Sequence, residues 1–134
     1  MNRLTDQYAP LLGTLEATNG APDLILELAD TWPKRARGWL GRRVIHAHEA
    51  LWLKRCAFIH TLGMSCAIGV FFLDRNGCVL KVSPSVAPDR LAGCWTADST
   101  IETRAFQLSE LESMVSRVRR AIVQAQGLET PKRN

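Results

Sequence analysis

"CAIGVFFLDRNGCVLKV", residues 66–82, joins the densest apolar run of this 134-residue chain to its clearest turn signal. From Val70 to Leu73 every position is apolar, so neither face of the segment is suited to water, which predicts a central strand covered on both sides. Asp74-Arg75-Asn76-Gly77 follows, and Asn-Gly supplies the positive φ angles that a tight hairpin needs. Residues 78–82 are therefore predicted to return beside the first strand. The prolines of "SPSVAPDR" (83–90) then end that strand and carry a connection across a sheet edge.

Toward the N-terminus, "ALWLKRCAFIHT" (50–61) is apolar and weakly alternating, which predicts one or two short strands. In "CAFIHTLGMSC" (56–66) the expected course is strand through Phe58 and Ile59, a turn near Gly63, then strand again from Cys66. Phe58, Met64, Ile68 and Val70 are expected in the core, with His60 partly exposed at a strand end and hydrogen-bonded to backbone. "DLILELA" (23–29) reads as the first strand. Between them Thr31 can cap a short helix whose first turn tolerates Pro33. Its helical spacing puts Trp32, Ala36, Trp39 and Leu40 on one face, and Lys34, Arg35, Arg37 and Arg42 on a solvated one.

Toward the C-terminus, "CWTADSTIETRAF" (94–106) reads as two strand segments bent at Ala97-Asp98-Ser99. Ser109 and Glu112 form a capping box, and Leu111, Met114, Val115, Val118, Ile122 and Ala125 make one apolar stripe, with Gly127 closing the helix. The expected division is an extension over 1–22 (tail or short helix), a β domain over 23–106, a helix over 107–127 and a frayed tail over 128–134. The fold class is mainly β (α+β), a compact antiparallel sandwich-like or barrel-like domain with a short Arg/Trp helix and a C-terminal helix.

Composition narrows the function classes. A hydrophobic content of 46% and a net charge of +4 exclude a disordered chain and suit one globular core that needs no disulfide or metal to fold. "MNRLTDQYAP" lacks the apolar core of a secretory signal, and the run "GMSCAIGVFFL" is shorter than a membrane span. A soluble cytoplasmic protein is expected. Cys56, Cys66, Cys78 and Cys94 form no C-x-x-C pair and read as reduced, buried structural thiols.

The order of several pieces resembles the bacterial and archaeal family known as domain of unknown function 192. Arg37-Gly38-Trp39-Leu40 stands where that family has an Arg-Gly-Leu-Met-like turn; His60-Thr61, Gly63-Met64, Phe72-Leu73-Asp74 and Gly77 match its later segment. The chain departs at Phe106, where relatives have a closing glycine before their end, and at Cys66-Ala67-Ile68, where many have Pro-Ile. The resemblance, over roughly residues 23–105, implies a small β-sandwich or barrel-like fold of jelly-roll character. It brings no agreed activity, cofactor or catalytic residue, and points only to secretion or pilus machinery, beside which some relatives are encoded.

The candidate sites are few. His60, Thr61 and Met64, with Arg37 and Asp74, are the residues expected to border a ligand groove, either beside the "HTLGM" segment or on the arginine face. His46 and His48 point the same way in an extended segment, Glu49 could orient one, and His60 could serve as a third metal ligand; adventitious surface binding is the favoured account. Asp74 before a tight turn, and Asp89 after Pro88, are suited to accepting backbone N–H bonds. The first functional reading is a non-catalytic binding or accessory domain for a protein, peptide or small ligand, with no cofactor. The alternative is a small enzyme or metal-dependent protein centred on His60. Nucleic-acid binding through the arginines is weaker, because the tryptophans face the core; an electropositive face with exposed aromatics would favour it.

Overall fold

The computed structural model of the chain describes residues 23–29, 31, 39, 42 and 44–129. The expected extension over 1–22, most of the Arg/Trp helix including Arg37, and the tail from residue 130 lie outside the described residues.

Seven strands stand among the described residues: β1 (Ile25–Ala29), β2 (Glu49–Leu53), β3 (Phe58–His60), β4 (Ile68–Leu73), β5 (Val79–Val86), β6 (Leu91–Gly93) and β7 (Ser99–Arg104). Helix α1 (Leu111–Glu129) follows. Five strands form one sheet in the order β1-β2-β7-β4-β5, and β3 pairs with β6 in a second, two-stranded sheet. β1 runs parallel to β2, while the other neighbours are antiparallel. The fold is mainly β and sandwich-like, with no closed barrel.

The opening segment forms the heart of this sheet. β4 lies between β7 and β5 and is buried at all six positions, as its unbroken apolar run predicts. Its turn differs in detail from the expected one. Only Gly77 has positive φ (81°), and Asp74 C=O accepts from Gly77 N–H at 3.0 Å, so Arg75-Asn76-Gly77 make a longer loop with glycine in the left-handed position. β5 also runs on through Pro84 to Val86 instead of ending at the proline. Its edge position explains this: a strand with one unpaired side can accommodate a residue that lacks an N–H.

Two apolar layers sandwich the large sheet. On one face Trp52, Phe71, Leu73 and Ile101 meet the helix stripe of Met114, Val115, Val118 and Ile122. The Trp52 indole N–H is satisfied inside this layer by Ser99 Oγ at 2.9 Å, and Phe71 stacks on Phe106 at 5.6 Å between centroids. On the opposite face Leu51, Leu53, Ile68, Val70 and Phe72 are covered by Ile59 of the small sheet together with Trp39 and Ile45.

Several boundaries shift. The segment 94–98 is a turn and not a strand, so "CWTADSTIETRAF" contributes the single strand β7. The helical region begins with a 3₁₀ turn at Leu108–Glu110, where Glu110 carboxylate accepts from Gln107 N–H at 2.9 Å. That local bond caps the chain two residues before the expected Ser109–Glu112 pair. At the other end α1 passes through Gly127 to Glu129, because one glycine in a helix costs only about 1 kcal/mol. Phe58, expected in the core, is exposed: among the described residues the outer face of the small sheet carries no further layer.

Candidate ligand-binding groove

The "HTLGM" segment is held by one buried threonine. Thr61 Oγ1 donates to Ala87 C=O at 2.6 Å and accepts from Arg90 N–H at 2.9 Å. Its main chain donates to Arg90 C=O and accepts from Asp89 N–H and Met64 N–H. Asp89, at φ 60°, turns its carboxylate to Gly63 N–H at 3.1 Å, and Gly63 itself has φ 77°. The segment is thereby sewn to residues 87–90, and its polar groups serve the turn.

His60 lies exposed at the end of β3, opposite Leu91, and among the described residues its side chain makes no hydrogen bond, contrary to the expected backbone contact. Met64 is half-buried against the apolar layer that contains Trp39, Ile45 and Ile59. Asp74 accepts from Asn76 and Cys78 N–H at 2.8 and 2.9 Å, at the end of β4. Apart from the Met64 N–H bond to Thr61 C=O, no hydrogen bond or ion pair among the described residues joins His60, Thr61, Met64 and Asp74. We expect Gly63→Ala to cost about 1 kcal/mol or more, since it places a β-carbon at positive φ, and His60→Ala to be within about 0.5 kcal/mol of neutral. Urea unfolding of the two variants checks the contrast; the reverse ranking would show that His60 carries the stretch.

The "HAHE" stretch is a turn rather than an extended run. The His46 and His48 rings stack at 5.7 Å, and Ala47-His48 form the turn into β2. Glu49 is engaged by Arg42, whose Nη2 lies 2.8 and 2.7 Å from its two oxygens, and this bond holds its carboxyl below the usual range. His46 Nε2 stands 3.9 Å from Glu49. Among the described residues no three His, Cys, Asp or Glu side chains gather as a metal-ligand set.

Depressions lie elsewhere, around the end of β7. One of about 480 Å³ is bordered by Val44, Ile45, His46, Cys66, Ala67 and Arg104. A smaller one of about 110 Å³ runs from Arg104 to Glu110, Met114 and Arg117. A third of about 500 Å³ extends past Phe106 to Ser85 and Ser109. Arg104 and Ala105 border all three. The Arg104 guanidinium is exposed and, among the described residues, makes neither hydrogen bond nor ion pair. Arg117 differs: buried in α1, it donates to Met114 Sδ at 3.2 Å and to Ala47 C=O at 2.9 Å, tying the helix to the turn that walls the groove. Desolvation lowers its pKa, against the pull of Asp23 and Glu110.

Glu102 sits two residues before Arg104 on the same face of β7. It is 4% exposed, faces Leu51 and Val70 across the strands, and has no hydrogen bond or ion pair among the described residues. Desolvation alone pushes its carboxyl up to about 7. The sequence reading missed both residues. The alternation Thr100-Glu102-Arg104 marks one face of a strand as polar, which ordinarily means solvent.

None of the curated proteins matches the chain. Among solved structures it is similar to a protein of unknown function from Novosphingobium aromaticivorans DSM 12444, at 14% identity and TM-score 0.60 over 69% of each chain. It is also similar to a protein from Sinorhizobium meliloti 1021 named as a candidate transcription regulator, at 16% identity and TM-score 0.60, over 66% of this chain and 74% of that one. Both likenesses are of fold. The family model of domain of unknown function 192, described as "Uncharacterized ACR", matches residues 14–117. The chain belongs to that family.

Proposed function

We propose that the chain is a non-catalytic binding domain, and that a small ligand or peptide carrying an anionic group lies in the groove around Arg104. The observation that carries this reading is a guanidinium without a hydrogen bond or ion pair among the described residues, standing where three depressions meet. Arginine's planar fork suits carboxylate or phosphate bidentately, and an arginine already paired would have little to offer. His46 and the half-buried thiol of Cys66 border the same depression and supply further polar contacts.

An enzyme or metal protein centred on His60 has less support. His60 borders none of these depressions, and a general base or ligand needs convergent partners. The name of the Sinorhizobium relative adds nothing to a nucleic-acid reading, since 16% identity speaks for fold alone. No helix among the described residues is long and apolar enough to cross a membrane.

The reading is tested by calorimetric titration with inorganic phosphate, citrate and glutarate. At least one should bind the parent protein. Arg104→Ala should weaken that binding roughly tenfold, as loss of a charge-assisted contact does, while Arg75→Ala on the distant β4–β5 turn should not. Binding unchanged by Arg104→Ala, or no binding to the parent, contradicts the proposal.

A further inference from the structure

The small sheet carries a second surface, independent of the Arg104 groove. Ile59 and its partner Ala92 turn inward onto the sheet face that carries Leu51, Leu53 and Val70. Phe58, His60, Leu91 and Gly93 alternate with them and turn outward. Trp95 is 89% exposed, Leu91 80% and Phe58 50%. The Phe58 and Trp95 rings meet edge to face at 4.8 Å, and Phe58 lies so close over Gly93 that a β-carbon there would run into the ring. Large apolar side chains this open, gathered on one face, mark an interaction site more often than an idle surface.

The backbone says what kind of partner fits. Thr61 N–H donates to Arg90 C=O and Cys94 N–H to Ala57 C=O, which fixes the phase of the antiparallel ladder. The main-chain groups of Leu91 and Gly93 consequently point away from β3, along the outer edge of β6. Gly93 C=O accepts from Lys81 Nζ at 2.9 Å; the outward groups of Leu91 have no backbone partner among the described residues. A short strand with an open edge and an apolar face is a template for one more strand.

Charge narrows the partner further. Lys81 reaches this edge from β5, and Arg90, exposed beside Leu91, spends its guanidinium on the adjacent Asp89 carbonyl at 3.3 Å. The neighbouring Asp89 carboxylate is occupied by Gly63 N–H. Among the described residues the edge thus sets two cations, each with donors left beyond its one carbonyl bond, against the single carboxylate of Asp89, a net positive rim.

We propose that the outer edge of β6 docks an extended segment of a partner protein, with apolar side chains over Phe58, Leu91 and Trp95 and an acidic side chain facing Arg90 and Lys81. Single-stranded nucleic acid also uses aromatics beside cations. Leu91 has no stacking face, however, and the outward main-chain groups repeat at strand spacing, which an extended backbone matches along its length, so the extended peptide fits better.

The test uses the full chain and three probes: an acetylated peptide alternating valine with glutamate, the same peptide with lysine for glutamate, and a short oligothymidylate. Binding is read by fluorescence anisotropy, and amide exchange of Leu91 and Gly93 is followed by NMR. The glutamate peptide should bind, slow exchange at both amides, and weaken roughly tenfold in Trp95→Ala and in Arg90→Glu. Both side chains are exposed, so these variants should fold; a circular dichroism melt matching the parent confirms it. No binding of the glutamate peptide, equal binding of the lysine peptide, or binding without amide protection overturns the proposal. Preference for the oligothymidylate would make the surface a nucleic-acid platform. Concentration-dependent dimerisation with Leu91 and Gly93 protected in the absence of peptide would make a second copy the occupant.

Discussion

Glu102→Leu is expected to stabilise the folded chain by about 3 kcal/mol at pH 8 and by only about 1 kcal/mol at pH 5. The carboxyl is buried between Leu51 and Val70 with no hydrogen-bond or ionic partner among the described residues, and its pKa rises from an ordinary 4.5 to about 7. Between those values the folded state holds a proton that the unfolded state has released. Stability therefore falls as pH rises from 4.5 to 7 and is level above, while below 4.5 both states are protonated and Glu102 has no pH-dependent effect. Leucine removes the charge at similar volume, so the variant should lack this decline. Glu49, whose pKa is lowered chiefly by its hydrogen bond to Arg42, acts oppositely: its contribution is present above pH 4.5 and fades as pH falls. Urea unfolding of parent and variant at both pH values checks the expectation. An equal gap at pH 5 and pH 8, or a less stable variant, would mean that Glu102 is paired in solution.

Phe71→Ala is expected to destabilise the fold by about 4 kcal/mol, enough to leave a domain of this size close to unfolding. Phe71 is fully buried in β4, stacks on Phe106 and faces the stripe of α1, so truncation opens a cavity between sheet and helix that neither layer can close. Truncating exposed Ile25 on β1 should by comparison cost less than about 0.5 kcal/mol. Thermal or urea unfolding gives both values; a loss near 1 kcal/mol for Phe71→Ala would show that α1 does not seal this face.

How far the sequence carried the fold can be judged residue by residue. The run from Val70 to Leu73 announced a strand buried on both faces, and Leu111 to Ala125 announced the helix that covers one of them, because both signals are local periodicities. Phe58 could not be placed. Its alternation fits a buried strand, and what exposes it is that the small sheet stops at two strands with no further layer among the described residues. Pro84 ended a strand on paper because proline removes a ladder bond, but β5 is an edge and the bond was not required.

The site was less legible than the fold. Arg104 and Glu102 differ by two positions on one strand face, yet one is open and the other sealed by a layer that includes Trp39, Ile45 and Ile59, far away in sequence. Period-2 alternation tells that they share a face; it cannot tell where along the strand the covering layer ends. Thr61 binds the turn to residues 87–90 through partners 26 and 29 positions away, a role visible only in three dimensions.

The most direct test of the binding account is a titration of isotopically labelled protein with citrate at pH 7, followed by amide chemical shifts. Saturable shifts are expected at Ala47, Ala67, Arg104, Ala105 and Phe106, the residues that border the depressions around the Arg104 guanidinium. Shifts centred on His60 to Met64, or no saturable shift at Arg104 and Ala105, would contradict it.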